Sequence, residues 1–154
     1  MALTIISPAF ADGDPIPEKY TRLGENVMPP LKWSGAPDNT RSFVLIVEDP
    51  DAPNGTFQHC GVFNIPASCS ELKSGADTVR GAATRFSQND FGNARYDGPQ
   101  PPKGHGIHHY HFRVAALDVA SIAIAGKAGV KTMWDIARKH VLEEDTLIGT
   151  FVVE

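Results

Sequence analysis

A chain of 154 residues with 42% apolar side chains has material for one hydrophobic core and too little for two. Fourteen Lys and Arg against eighteen Asp and Glu leave a net charge of −4, without the basic cluster that follows a nucleic-acid backbone, so nucleic acid is disfavoured as a partner. Apolar runs are too short to span a bilayer, and the opening Met1-Ala2-Leu3-Thr4-Ile5-Ile6-Ser7-Pro8 lacks a basic n-region followed by an apolar h-region. The expectation is one domain over residues 1–154, soluble and cytoplasmic, with no stable membrane insertion. Cys60 and Cys69 form no C-x-x-C or zinc-ligand pattern and read as reduced thiols, with a bridge between them left open.

Fourteen glycines and twelve prolines are spread along the chain instead of collected in a linker, as in a loop-rich β protein. In chain order, strands are predicted at Thr4 to Ser7, Val27 to Trp33, Ser42 to Glu48 and Thr56 to Ile65. A weaker one follows at Asp77 to Ala82. Further strands are predicted at Tyr110 to Leu117 and Thr146 to Val153, with a weak candidate between them at Ala120 to Ile124. The spacing suggests a sandwich with Greek-key connections. Ser42-Phe43-Val44-Leu45-Ile46-Val47 is apolar almost throughout and reads as a central strand buried on both faces. One helix is predicted where Met133, Ile136, Ala137, His140 and Val141 recur at helical spacing after an N-cap at Thr132.

Chemistry concentrates in three segments. Glu48-Asp49-Pro50-Asp51-Ala52-Pro53-Asn54-Gly55 is an acidic turn held by two prolines at the end of the central strand, which positions Asp49 more tightly than a flexible loop would. The competing reading is that Asp49 and Asp51 only make Asx turns, and the isomers of Asp49–Pro50 and Ala52–Pro53 are open. His59 opens an alternating apolar strand with Cys60 beside it; strand alternation would turn these two neighbours to opposite faces, a poor arrangement for a nucleophilic dyad. Gly98 to Phe112 joins a stiff Pro- and Gly-rich loop to a histidine-rich strand. Its glycines permit positive φ, and the loop N–H groups can form an anion-binding nest. Alternation puts His108, Tyr110 and Phe112 on one face and His109, His111 and Arg113 on the other. His108 and Tyr110 are therefore the pocket candidates. His105, among glycines, reads as an exposed loop residue.

These segments carry a resemblance to a known family. Asp49-Pro50-Asp51-Ala52-Pro53, His59 leading to Asn64-Ile65-Pro66, Asn89-Asp90-Phe91-Gly92, Gly98-Pro99-Gln100-Pro101-Pro102, His108-His109-Tyr110-His111-Phe112 and Ala116-Leu117-Asp118 resemble the ordered signatures of the phosphatidylethanolamine-binding protein family. Ser7-Pro8-Ala9-Phe10, Ile16-Pro17, Tyr20-Thr21, His140-Val141-Leu142 and Gly149-Thr150 resemble its bacterial and archaeal Raf-kinase-inhibitor-like branch. The resemblance implies a mostly β fold: a β-sandwich of two antiparallel sheets with Greek-key connections and one or two short C-terminal helices. It also implies a pocket for a small anion, phosphate-like or carboxylate-like, lined by Asp49, Asp51, His59, Pro101, Pro102, Gly104, His108 and Tyr110. The implied activity is binding or inhibition, of a kinase or protease, without a reaction or cofactor, and the bacterial branch points to a homodimer. The chain departs from the family pattern at Cys60, where an aromatic is common, at Gln100, where bacterial members often have Cys, and at His109, where Arg is frequent.

The rival expectation is a metal-dependent hydrolase using His59, His105, His108 and Asp49, since imidazole and carboxylate are ordinary ligands for zinc and related ions. No H-E-x-x-H or similar spacing supports it.

Overall fold

An apolar run as long as Phe43 to Val47 has to be covered on both sides, and the architecture follows from that. In the computed structural model, which describes residues 2–75 and 84–154, strand β3 (Ser42–Asp49) is buried along nearly its whole length. Phe43, Leu45 and Val47 join one apolar cluster, and Val44 and Ile46 join another on the opposite face. β3 is the middle of a five-stranded antiparallel sheet in the order β6-β4-β3-β7-β8. Its partners are β4 (Phe57–Pro66), β6 (Arg85–Phe86), β7 (His108–Leu117) and β8 (Val141–Phe151). A smaller antiparallel sheet of β1 (Thr4–Ile6), β2 (Leu31–Ser34) and β5 (Glu71–Leu72) covers one face. Leu3, Ile5, Leu31, Trp33 and Leu72 from this side pack against Leu45, Val62, Tyr110, Phe112 and Val114. This is the two-layer, mostly β arrangement expected from the sequence.

The other face of the large sheet is closed by helix α1 (Val130–Ala137), whose Val130, Met133 and Ala137 are buried against Val44, Ile46, Phe63 and Ala115. Contact is close because β4 presents Gly61 there: a Cβ on Gly61 would meet Val130 Cγ2 at 2.9 Å. The helix begins after Gly129, not at Thr132, and gives way to a 3-10 turn at Arg138–His140. Val141, expected on the helix face, instead pairs with Leu117 and starts β8. Ladder pairing with β7 outweighs the local helical spacing, a tertiary override of sequence pattern.

Other boundaries shift for identifiable reasons. β2 starts at Leu31 because Pro29 and Pro30 offer no N–H to a ladder. The weak strand expected at Ala120 to Ile124 does not form; Ile122 is held by the Asn64 side chain, its N–H donating to Oδ1 at 2.8 Å, and tucks in under α1. The candidate at Asp77 to Ala82 lies outside the described residues. No peptide bond among the described residues is cis, so Asp49–Pro50 and Ala52–Pro53 are both trans.

Gly149 on β8 sits where Phe10 and Ile16 from the N-terminal segment press onto the strand. A Cβ there would lie 2.5 Å from Ile16 Cγ1 and 2.7 Å from Phe10 Cε2. Gly149→Ala should therefore overpack this contact and cost about 1–3 kcal/mol, read as a lower urea midpoint at unchanged slope.

Candidate ligand-binding site

Three strand ends supply the site. Asp49 closes β3, Phe57 and His59 open β4, and His108 and Tyr110 open β7, all at the same end of the large sheet. Asp49 shares the parity of Phe43, Leu45 and Val47, and His108 that of Tyr110 and Phe112, so both point to the inner side of the sandwich. The pairing of β3 with β4 passes from Val47–Cys60 to Glu48–Gln58, which skips His59. This bulge gives β4 one extra residue and breaks the alternation expected of His59 and Cys60: His59 reaches the cavity while Cys60 stays in the inner core. Their adjacency still makes no dyad. Cys60 is fully buried, and burial pushes its thiol pKa far up, leaving an inert thiol. Cys60 and Cys69 are both free.

Together these strand ends and two loops enclose a cavity of about 370 Å³. Of the residues expected at the site, Asp49, His59, Pro101, Pro102, His108 and Tyr110 line it. Asp51 and Gly104 do not. Asp51 turns outward and accepts from both the backbone N–H and the Nδ1 of His109, at 2.8 and 2.7 Å, and the bonds with His109 lower its pKa. Gly104 serves the loop backbone instead, with φ at +76° and its N–H donating to Val153 O. The lining also includes Phe57, Phe91, Asp90 and the turn Ala52 to Thr56, which were not singled out from sequence. Asp90 and Phe91 fall in the Asn89-Asp90-Phe91-Gly92 block and Ala52 to Gly55 in the acidic turn, so the sequence carried a signal for these segments; that they line the cavity became visible only once the chain closed around it.

Each imidazole at the base is anchored through Nδ1. His108 Nδ1 lies 2.6 Å from Asp49 Oδ2, and both residues are almost fully buried. Asp49 Oδ1 accepts the Asp51 N–H at 2.8 Å, so this carboxylate makes an Asx turn and orients a histidine at once. His59 Nδ1 donates to the Asp97 carbonyl at 2.7 Å, and burial lowers the His59 pKa against the opposing effect of that bond. His105, exposed as expected, is not idle: its Nδ1 lies 2.6 Å from His108 Nε2. Tyr110 keeps its proton because burial and the nearby Asp49 charge raise its pKa.

Asp97 builds the floor beneath His59. Its side chain is fully buried and accepts from Asn26, Asn89, Asn93 and Arg95 at 2.8–2.9 Å. Burial acts to raise its pKa, but these hydrogen bonds prevail and bring it down to about 2.

The four residues of the metal expectation do not converge as free donors, since Asp49, His108 and His105 are bonded in series and His59 is tied to the wall. Among the described residues no group of three or more His, Cys, Asp or Glu side chains is arranged to hold a metal ion.

The two-layer β fold thus places a cavity with anchored imidazoles at its base at one end of the large sheet. The chain belongs to the phosphatidylethanolamine-binding protein family, whose model matches residues 6–152. UPF0098 protein PH1269 of Pyrococcus horikoshii is 40% identical over 150 residues, covering 95% of this chain and 75% of that protein. E. coli YbcL, whose structure is described as that of a new member of the mammalian PEBP family, superposes with a TM-score of 0.94 at 28% identity, both chains covered at 100%. A Mycobacterium tuberculosis relative, 39% identical over 149 residues (97% of this chain, 72% of that protein), carries a lipoprotein name, LppC. The expected cytoplasmic location therefore does not follow from family membership. No helix among the described residues is long and apolar enough to cross a membrane.

Because the folded-state pKa of Asp97 lies below the usual aspartate value of about 3.9, its bonds stabilise the fold above that pH and are lost as pH falls toward 2. In Asp97→Asn the loss of stability between pH ~4 and ~2 should flatten, and stability at pH 7 should drop by about 2 kcal/mol. Denaturant titrations of both proteins across this range check it.

Proposed function

We propose that the cavity receives a small oxyanionic group, phosphate, phosphoryl or carboxylate, and that the domain acts by binding it in the cytoplasm, without turnover, to regulate a protein partner such as a kinase or protease. One observation carries the reading. His59 and His108 are both fixed through Nδ1 from behind, to Asp97 O and Asp49 Oδ2, which turns both Nε2 atoms toward the cavity, that of His108 met by the exposed His105. Such pre-orientation suits recognition of a compact polar group.

Electrostatics sets the terms. Asp49 at the base and Asp90 on the wall repel an anion, so the site needs compensating positive charge or protons. Arg22 supplies a permanent positive charge at the mouth: its guanidinium lies 4.1 Å from the Phe91 ring centroid and donates to Gln100 Oε1 at 2.9 Å, and both partners line the cavity. Asn54, Thr56 and Gln100 add neutral polar groups on the exposed rim. Absence of turnover is supported by the side chains beside the base, since the Cys60 thiol and the Tyr110 hydroxyl are both held protonated and neither is a ready nucleophile.

A dianion entering beside Asp49 must acquire a proton, on an imidazole or on itself. Imidazole and phosphomonoester reference values near ~6.5 and ~6 set the range. Affinity for inorganic phosphate should fall about tenfold or more as pH rises from roughly 5.5 to 8. Calorimetric titration measures it; an affinity unchanged over that range would contradict the proposal.

A further inference from the structure

We infer, building on the binding reading above, that the site selects oxyanions that carry their own acidic hydrogen, phosphomonoesters and monoprotonated phosphate, over proton-free ones such as sulfate and phosphodiesters, and that Asp49 sets this selectivity. The inference follows from hydrogen bookkeeping. A carbonyl oxygen can only accept, so His59 Nδ1, 2.7 Å from Asp97 O, carries the hydrogen and Nε2 of the neutral ring is a lone pair. A carboxylate can only accept, so His108 Nδ1, 2.6 Å from Asp49 Oδ2, also carries the hydrogen, and its neutral Nε2 is a second lone pair.

The groups around the base agree in sign. From β3 comes the Asp49 carboxylate, and from the loop after β6 the Asp90 carboxylate. These two carboxylates and the two neutral imidazoles therefore offer the guest acceptors and no donor. His105 marks what His108 Nε2 seeks: with Nε2 a lone pair, the 2.6 Å contact is a hydrogen bond donated by His105 Nδ1–H. His105 is exposed, on a segment whose Gly104 and Gly106 have φ of +76° and +91°, so a guest hydroxyl can take its place. A P–OH group supplies that hydrogen together with anionic oxygens for Arg22 and the rim. Sulfate at neutral pH has the same size and no hydrogen to give.

Asp49→Asn reverses the logic. The Asp51 N–H holds the Oδ1 position at 2.8 Å, so the Asn carbonyl must stay there and its NH2 must face His108 Nδ1. Nδ1 then accepts, the hydrogen moves to Nε2, and His108 offers a donor to the cavity.

The experiment is a calorimetric comparison at pH 6.5 of inorganic phosphate with sulfate, and of methyl phosphate with dimethyl phosphate, on wild type and on Asp49→Asn protein. Wild type should bind phosphate and methyl phosphate at least about tenfold more tightly than sulfate and dimethyl phosphate. In Asp49→Asn the phosphate-to-sulfate ratio should shrink to within about threefold, chiefly through gained sulfate affinity. Sulfate binding wild type as tightly as phosphate would overturn the inference while leaving the binding reading intact. Failure of every anion to bind either protein would overturn the binding reading itself. The wild-type comparison stands on its own if the variant does not fold.

Discussion

The 2.6 Å bond between Asp49 and His108 is the contact on which the site's geometry rests. It joins the end of β3 to the start of β7, both almost fully buried, and a buried carboxylate left without this partner would be costly. The same carboxylate takes the Asp51 N–H and so shapes the Pro-held turn that forms one lip of the cavity. Turn, strand ends and imidazole are thus coupled through one side chain. Because the bond fixes which nitrogen of His108 carries hydrogen, a structural contact also decides what the cavity offers a ligand.

A second anchor works in parallel. Asp97, satisfied by four side chains, holds the loop that runs under His59, and its carbonyl fixes the His59 ring. The β4 bulge brings His59 to that carbonyl without pulling Cys60 out of the core. Rigid layers on both faces of β3, the smaller sheet on one side and α1 on the other, keep the strand ends in register. A site supported in this way is pre-formed, and the selectivity inferred for it would reside in hydrogen placement as much as in charge.

Much of this was legible in the residues. The unbroken apolar run of β3, the Pro-held acidic turn after it, and the period-two pattern that separates His108 and Tyr110 from His109 and His111 all follow from local physics. What escaped is non-local. Nothing in the order His59-Cys60 announces a bulge, since the extra residue is defined by the partner strand. Nothing local marks Asn26, Asn89 and Asn93 as the partners of a buried Asp97. Helical spacing across Met133 to Val141 was real, yet β7 claimed Val141 for its own ladder. His105 looked like a loop histidine, and is one, but its bond to His108 depends on how the loop folds back. Asp51, chemically identical to Asp49, was drawn outward by His109.

The central claim is that both base imidazoles carry hydrogen on Nδ1 and present an Nε2 that can only accept. Long-range proton–nitrogen correlation spectra of protein labelled at the histidine ring nitrogens read this directly, ring by ring, near neutral pH. The account predicts the Nδ1–H neutral form for His59 and His108, with His108 losing it in Asp49→Asn. Finding Nε2–H as the dominant neutral form of His108 in the wild-type protein would contradict it.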